Sequence, residues 1–546
     1  MTFDLVIRNG TVIDGTGRSR FRASLGINSG KIAAIARDRA LDGHQVLDAT
    51  GLVVAPGFID FHSHADWVLP LRDHASIMSP FVLQGITTVV GGQCGFSPAP
   101  VTEESIPPLN TTALILQTRD IDYAWRSMDE FLTTLQREGV LLNTAMLVGH
   151  GALRYMVMGE RADRATPPDP AEVNAMGQLA RRAMYEGAFG LSVGLPYAPG
   201  VFAQNWELES ILRTVAEEEG LFAVHGRAYS WLSPFYKPLI GGAPHNVRSV
   251  RELLELARQS GVRLQLSHQI FVGRRTWRTH QAVLRDIEAA VDDGIDVAFD
   301  AFPYTRGAST IKVVFPEWFL DNLGQNIHHP RALRRLKLEM LPIRWLLGLE
   351  FADITLVWGV VPELRALEGL DFAAIARKLG MSPVDAYIHV AQLSDCQAGV
   401  LLGTYSGDDT GEDPLRAVLS HPRCAFITDS VLMQEEVQDP AYYGAFPRLL
   451  GHYSRDLGLF SLEEAVRRMT TWPAERLGLE DTGRIAEGAW ADLVLFDPDT
   501  VGDRFISGRP VTPAGIQTVL ISGSIVAQDG KMVSRERHGR VLRKRR

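Results

Sequence analysis

The sequence predicts an α/β protein: a (β/α)8 TIM barrel in the middle of the chain, a small β-sandwich built from both termini, and an inserted helical subdomain. Three observations carry this. Eight short apolar strands alternate with helical stretches between residues 57 and 478. Alternating strands with tight-turn pairs fill residues 1–56 and return in residues 479–546. About 120 residues separate the seventh apolar strand from the eighth, far more than any earlier gap.

The elements follow in order. Asp4–Arg8 alternates apolar and polar residues, Asn9-Gly10 is a tight-turn pair, and Thr11–Ile13 continues as a strand. The barrel strands are read at Gly57–Phe61, Thr87–Gly91, Thr144–Val148, Ala188–Ser192, Leu221–Val224, Arg263–Leu266, Asp296–Phe299 and Cys424–Ile427. Ala171–Tyr185, Glu207–Glu219, Ser249–Gln259 and Gln281–Asp292 are helical stretches between them. Continuous apolar strands alternating with helices imply a parallel sheet covered on its outer face. The insertion spans about 311–420 and carries the helical segments Arg331–Leu341, Asp371–Leu379 and Pro383–Gln392. Ala491–Phe496, Thr518–Ile521 and Ser524–Val526 complete the β-domain, the last two joined through Ser522-Gly523. The basic end, Arg535–Arg546, is expected to be a solvated tail.

Composition excludes several function classes. The chain has 546 residues and a net charge of -9, against what a dedicated nucleic-acid binder needs. Cys94, Cys396 and Cys424 are its three cysteines, so no disulfide framework exists and a reducing compartment, the cytoplasm, is expected. The N-terminus lacks the basic region and apolar core of a targeting segment, and no apolar run is long enough to span a membrane. The expected partner is a small-molecule amide, with no nucleic acid and no membrane; a homo-oligomer stays open. Only 7 of the 55 cations are lysines, and none lies between Lys31 and Lys237.

The chemistry stands at the strand ends. Strand one runs into His62-Ser63-His64 and strand two into Gly92-Gln93-Cys94-Gly95. Strands three, five and six end at His150, His225 and His268, and strands seven and eight at Asp300 and Asp429. In a barrel these C-terminal ends carry the active site. Imidazole, thiolate and carboxylate together are the ligand set of zinc and its relatives. Residues i and i+2 of an extended segment face the same way, so His62 and His64 can reach one ion. Singly, each is as well read as packing: a lone His150 as a wall residue, Cys424 as an inert core thiol. Asp60 and Asp300 are candidates to orient the imidazoles, and Asp60 reads equally as a packed strand residue.

Here the residues resemble a family. Val54–His64 is similar to the first-strand signature of the amidohydrolase superfamily, and Gly92–Pro100 resembles the cysteine motif of its N-acyl-D-amino-acid deacylases. Val148–Arg154, Gly190–Leu195, Ser267-His268, Phe302–Tyr304, Tyr443–Arg448 and Gly483–Val494 resemble further segments, so the likeness spans nearly the whole chain. It implies Zn2+ as cofactor: one ion held tightly by Cys94, His225 and His268, and a second, weaker position at His62, His64 and Asp429. Many binuclear members bridge their metals with a carboxylated lysine at strand four. Here that strand lies inside the lysine gap, so that ligand is absent and Cys94 stands as the thiolate. Deaminases of the superfamily carry a glutamate after the strand-five histidine, whereas His225 precedes Gly226-Arg227-Ala228.

The implied reaction is hydrolysis of a non-peptide C–N amide bond. A metal-activated water attacks, Asp429 serves as general base and then acid, and the metal or His150 holds the oxyanion. Ser192, Tyr197, Arg227, Tyr304 and Ser309 are the further substrate-binding candidates. Two cations of the family's carboxylate pocket are missing, since Ile270 and Asp439-Pro440-Ala441 stand at their positions. Arg227, Arg306 or Arg274 could replace that charge. Trp67, Phe96, Tyr197, Trp231 and Phe302 would suit an aryl or bulky acyl group, or ordinary packing. The alternatives are therefore an amidohydrolase of an uncharged aryl amide, carbamate or cyclic imide, and, from another class, a non-catalytic scaffold of the same fold.

Overall fold

The computed structural model describes residues 2–117, 120–237, 241–432, 439–506 and 509–545; Met1 and Arg546, the ends of the sequence, lie outside the described residues. All eight barrel strands form, at Phe58–Asp60, Ile86–Gly91, Asn143–Met146 continuing as Val148–Gly149, Gly190–Gly194, Leu221–His225, Arg263–Leu266, Val297–Ala301 and Cys424–Phe426. Neighbours pair in parallel around the ring in chain order, apart from a break inside strand three. The ring closes between strands eight and one, where the Asp429 N–H donates to His62 O at 3.0 Å and the His64 N–H to Ser430 O at 3.3 Å. The strands are buried almost throughout because the interior packs them on one face and the helices on the other.

Both termini share a nine-stranded sheet with its own core, which brings Leu5, Ile7 and Leu25 against Leu493, Leu495 and Leu520. The strands of this β-domain are hydrogen-bonded in one continuous order drawn from both termini. Leu493–Phe496 pairs antiparallel with Val53–Pro56 and joins the two halves edge to edge.

The insertion is not solely helical. Helices Pro330–Leu347, Phe372–Leu379 and Pro383–Leu393 form, but a three-stranded antiparallel sheet of Gly307–Thr310, Gly399–Leu402 and Ile354–Trp358 accompanies them. Ile354-Thr355-Leu356-Val357-Trp358 is rich in β-branched and aromatic residues, which fit a pleated surface. Helix Asp413–Ser420 packs against strand eight and helix His280–Asp292, as a barrel helix does.

The basic end is ordered rather than solvated. Gly539 N–H donates to Val140 O, Arg540 O accepts from Thr144 N–H, Leu542 N–H donates to Thr144 O and Lys544 N–H to Gly187 O, all at 2.8 to 3.0 Å. The tail thus takes up backbone groups of Thr144 on strand three, of Val140 before it and of Gly187 before strand four. Arg540 reaches Asp492 at 2.7 Å, which ties barrel, tail and sheet together.

Candidate active site

Sharp backbone bends at the strand ends aim the functional side chains. Cys94, His268 and Asp429 have φ of 56°, 31° and 52°, the left-handed region that non-glycine residues avoid. Each bend costs free energy and persists because its surroundings hold it. The Cys94 turn is held from three sides. Gly95 N–H donates to Ser192 Oγ at 3.0 Å, Gly151 N–H donates to Gly95 O at 2.9 Å, and the Tyr197 hydroxyl donates to Cys94 O at 3.1 Å.

The bends bring four ligand atoms together. His62, Cys94, His268 and Asp429 each offer one within 4.8 Å of the others. Cys94 Sγ lies 3.3 Å from His62 Nε2, 3.6 Å from His268 Nε2 and 3.6 Å from His225 Nδ1. Asp429 Oδ1 lies 3.3 Å from His62 Nε2 and 3.8 Å from His64 Nε2. All six residues named from the sequence therefore line one cluster, with His62 at its centre. The Asp429 side chain keeps 21% exposure, so water reaches this member of the cluster.

Burial sets the protonation states. It lowers the pKa of His62, His64 and His268 to about 3, with His62 adding to the effect on His64 and His268, and takes His225 well below its ordinary value. The imidazoles are thus held in the neutral form that coordinates metals. Burial first, then the Asp429 carboxylate, pushes the Cys94 thiol well up. Burial, then Asp300, Asp439 and Asp60, pushes Asp429 well above the usual carboxylate range. A cation among these atoms reverses the last two shifts. Neutral imidazoles around a thiol and a carboxylate are a donor set that fits a divalent metal.

The surrounding residues divide. Asp300 behaves as an orienting group, with its Oδ1 3.6 Å from His62 Nδ1 and accepting from the His268 backbone N–H at 2.6 Å. Asp60 does not hold an imidazole. It accepts from the Thr428 hydroxyl at 2.6 Å and the Thr428 N–H at 3.0 Å, fastening strand one to strand eight. His150 is turned toward Glu207, with its Nε2 3.0 Å from a carboxylate that Arg154 also pairs. Ser192, expected to meet substrate, instead accepts the Gly95 N–H, fully buried.

Arg227 is spent on Glu252 at 3.3 Å and on two backbone carbonyls. Tyr304 donates to Asp503 at 3.2 Å. Burial first, then the Asp429 carboxylate, pushes the Tyr405 hydroxyl up, and Ser309 acts against them. Trp67 and Phe302 are buried as packing, Phe96 stacks on Tyr197 with centroids 5.3 Å apart, and Trp231 lies beneath Arg278.

Three residues escaped the sequence reading. The Tyr229 hydroxyl takes the Gly226 N–H and donates to Ser267 O, both at 2.9 Å, with its ring between His225 and His268. Tyr405 comes from the insertion, and nothing in its sequence neighbourhood ties it to the barrel. Asp66 is fully buried, and burial pushes its carboxyl up to about 8. Its place two residues after His64 was the available signal.

An amidohydrolase family model matches residues 45–230 and 365–527. The chain belongs to the amidohydrolase family. This amidohydrolase is 32% identical to a D-aminoacylase of Alcaligenes xylosoxydans xylosoxydans, over 99% of its own length and 97% of the relative's. It is 34% identical to an N-acyl-D-glutamate deacylase of the same organism, over 99% and 96%. A crystal structure of N-acyl-D-glutamate deacylase from Bordetella bronchiseptica, complexed with zinc and a phosphonate mimic of the tetrahedral intermediate, superposes with a TM-score of 0.81 at 31% identity and covers 100% of both chains. The protein is thus an enzyme, a metal-dependent hydrolase of non-peptide C–N amide bonds resembling the N-acyl-D-amino-acid deacylases.

Proposed function

We propose that this amidohydrolase cleaves the amide of an N-acyl compound, with Asp429 as the catalytic general base and acid and with His62, His64, Cys94, His225, His268 and Asp429 as metal ligands. The convergence of His62, Cys94, His268 and Asp429 within 4.8 Å carries the reading. Zn2+ is the proposed metal, one ion at Cys94, His225 and His268 and a second, weaker one toward His62, His64 and Asp429. Bound there, zinc lowers the pKa of water to about 7 and polarises a carbonyl.

The chain's own residues do the rest. Asp429, partly open to solvent, takes a proton from the attacking water and returns it to the departing nitrogen. Asp300 fixes the backbone at His268 and stands 3.6 Å from His62 Nδ1, and Tyr229 spans the strand ends that carry His225 and His268. Tyr197, Tyr304 and Ser309 are assigned to the substrate side, Tyr304 through Asp503 and Ser309 together with Tyr405. His150, Ser192 and Arg227 are assigned instead to support of the Cys94 turn and its neighbouring loops. Three free cysteines and a net charge of -9 support a cytoplasmic enzyme that takes a small molecule and no nucleic acid.

The test combines metal analysis with an assay for released amine. Cys94→Ala is expected to lose the tightly bound zinc on dialysis. Asp429→Asn is expected to retain the tightly bound zinc while kcat falls by about 10²–10⁴-fold. Wild-type protein that binds no zinc and hydrolyses no N-acyl amide would return the scaffold reading to first place.

A further inference from the structure

Arg227, Arg274 and Arg448 differ in what they hold. Arg227 binds Glu252 and the carbonyls of Val201 and Ala203 at 3.2 to 3.3 Å. Arg274 bridges Asp353 and Asp408, each at 2.9 Å. Arg448 instead holds a residue assigned to the substrate side. Its Nε donates to Pro303 O at 2.9 Å, one residue before Tyr304, and its guanidinium stands 5.1 Å from the centre of the Tyr304 ring. Both side chains meet at Asp503, whose Oδ2 accepts the Tyr304 hydroxyl at 3.2 Å and Arg448 Nη1 at 3.3 Å. That carboxylate is only 12% exposed, so water competes little for the two bonds.

Asp503 does not belong to the barrel. It lies on Gly502–Ile506, which pairs antiparallel with Arg509–Ala514 outside the nine-stranded sheet. These two strands pack against helix Ala441–Arg448, which follows strand eight. A glycine of that helix makes room for the contact. A Cβ at Gly444 would stand 2.6 Å from Asp503 Cβ and 3.0 Å from the Tyr304 hydroxyl oxygen, and carbon atoms do not pack at the first distance.

Tyr304 lies just past strand seven, the strand whose Asp300 faces His62 at 3.6 Å. Its hydroxyl, its ring and the carbonyl before it are each held, and every one of these contacts runs to Asp503 or to Arg448, which Asp503 itself pairs. We propose that Asp503 is a positioning residue for the amide reaction: reaching in from the C-terminal strand pair, it fixes the direction of the Tyr304 hydroxyl and so sets how tightly substrate is held. This rests on the amide-hydrolysis reading above, with Tyr304 on the substrate side, and adds to it a residue from outside the barrel.

Zinc-loaded variants are compared with the wild type on N-acetyl-D-leucine. Asp503→Ala is expected to raise KM about tenfold with kcat within about twofold and zinc content unchanged, because an aligned binding group is lost and no proton-transfer group is. Asp503→Asn still offers the hydroxyl an oxygen, and its KM is expected to stay within about threefold of the wild type. Gly444→Ala suits a helix better than glycine does, yet its methyl group pushes Asp503 away, so KM is expected to rise as in Asp503→Ala. Tyr304→Phe is expected to raise KM by a similar factor, and adding Asp503→Ala to it to change KM by less than about twofold. The phosphonamidate mimic of N-acetyl-D-leucine gives the same comparison by calorimetry without turnover. A folded Asp503→Ala protein with unchanged KM and mimic affinity would overturn the proposal, as would a fully additive double variant, in which Asp503 acts by some route other than Tyr304. Tyr304→Phe without effect overturns it together with the substrate-side place of Tyr304. A wild type that binds the mimic but hydrolyses no N-acyl amide counts against the amide reaction alone, and one that does neither overturns both.

Discussion

His74 shows at the residue scale how burial fixes a titratable group away from the metal cluster. Its Nε2 accepts the Leu141 N–H at 3.2 Å and its Nδ1 lies 2.8 Å from Leu71 O, so the neutral ring has one donor and one acceptor, both used. Burial lowers its pKa, which means the unfolded chain binds the proton more tightly. The stabilisation is complete above the ordinary value of about 6.5 and is lost as the pH falls below it. His74→Gln is expected to lose less melting temperature than the wild type between pH 7 and pH 5; equal losses would remove His74 from the acid response. Tyr229 works at the same scale. Tyr229→Phe leaves the Gly226 N–H and Ser267 O without their partner, at about 1–3 kcal/mol. The phenyl ring still fills the space, so a chelator titration should show weaker zinc retention in a protein that remains folded.

At the element scale the strand ends matter more than the strands. The eight apolar runs were legible because a strand buried on both faces reads as continuous hydrophobic sequence. Their terminal residues were legible too, because His62, Cys94, His225, His268 and Asp429 are polar groups where the apolar run stops. The support of the Cys94 turn was not legible. Ser192 lies on strand four, 97 residues from the Gly95 it holds, and no local pattern pairs them. Ser192→Ala leaves that buried N–H unpaired, a cost of about 1–3 kcal/mol that thermal melts can read. It should also lower zinc content, because the turn that presents Cys94 loosens. The strands of the insertion were missed for a different reason. Gly399–Leu402 is only four residues long, and a short apolar run does not separate strand from buried helix by periodicity.

At the scale of the whole molecule, the two chain ends brace the barrel. The nine-stranded sheet takes strands from both termini, and the tail runs from it along strand three. Removal of residues 537–546 would expose those backbone groups and break the Arg540–Asp492 pair. The truncated protein is expected to melt several degrees lower, with its zinc content unchanged, because the tail pairs with Val140, Thr144 and Gly187 rather than with the ligand cluster. The sequence alone determined the barrel, the β-domain shared by both termini and the ligand types, because hydrophobic period and residue chemistry are local properties. It misjudged the tail, whose charge implied solvation while its backbone had a sheet edge to pair with. Only the tertiary structure decided that Arg227, Arg274 and Arg448 are already committed, that His150 faces Glu207, and that Tyr229 stands by the cluster. Those outcomes depend on which groups meet across tens or hundreds of residues, and a charge that sequence shows as available is available only if nothing folded against it has claimed it.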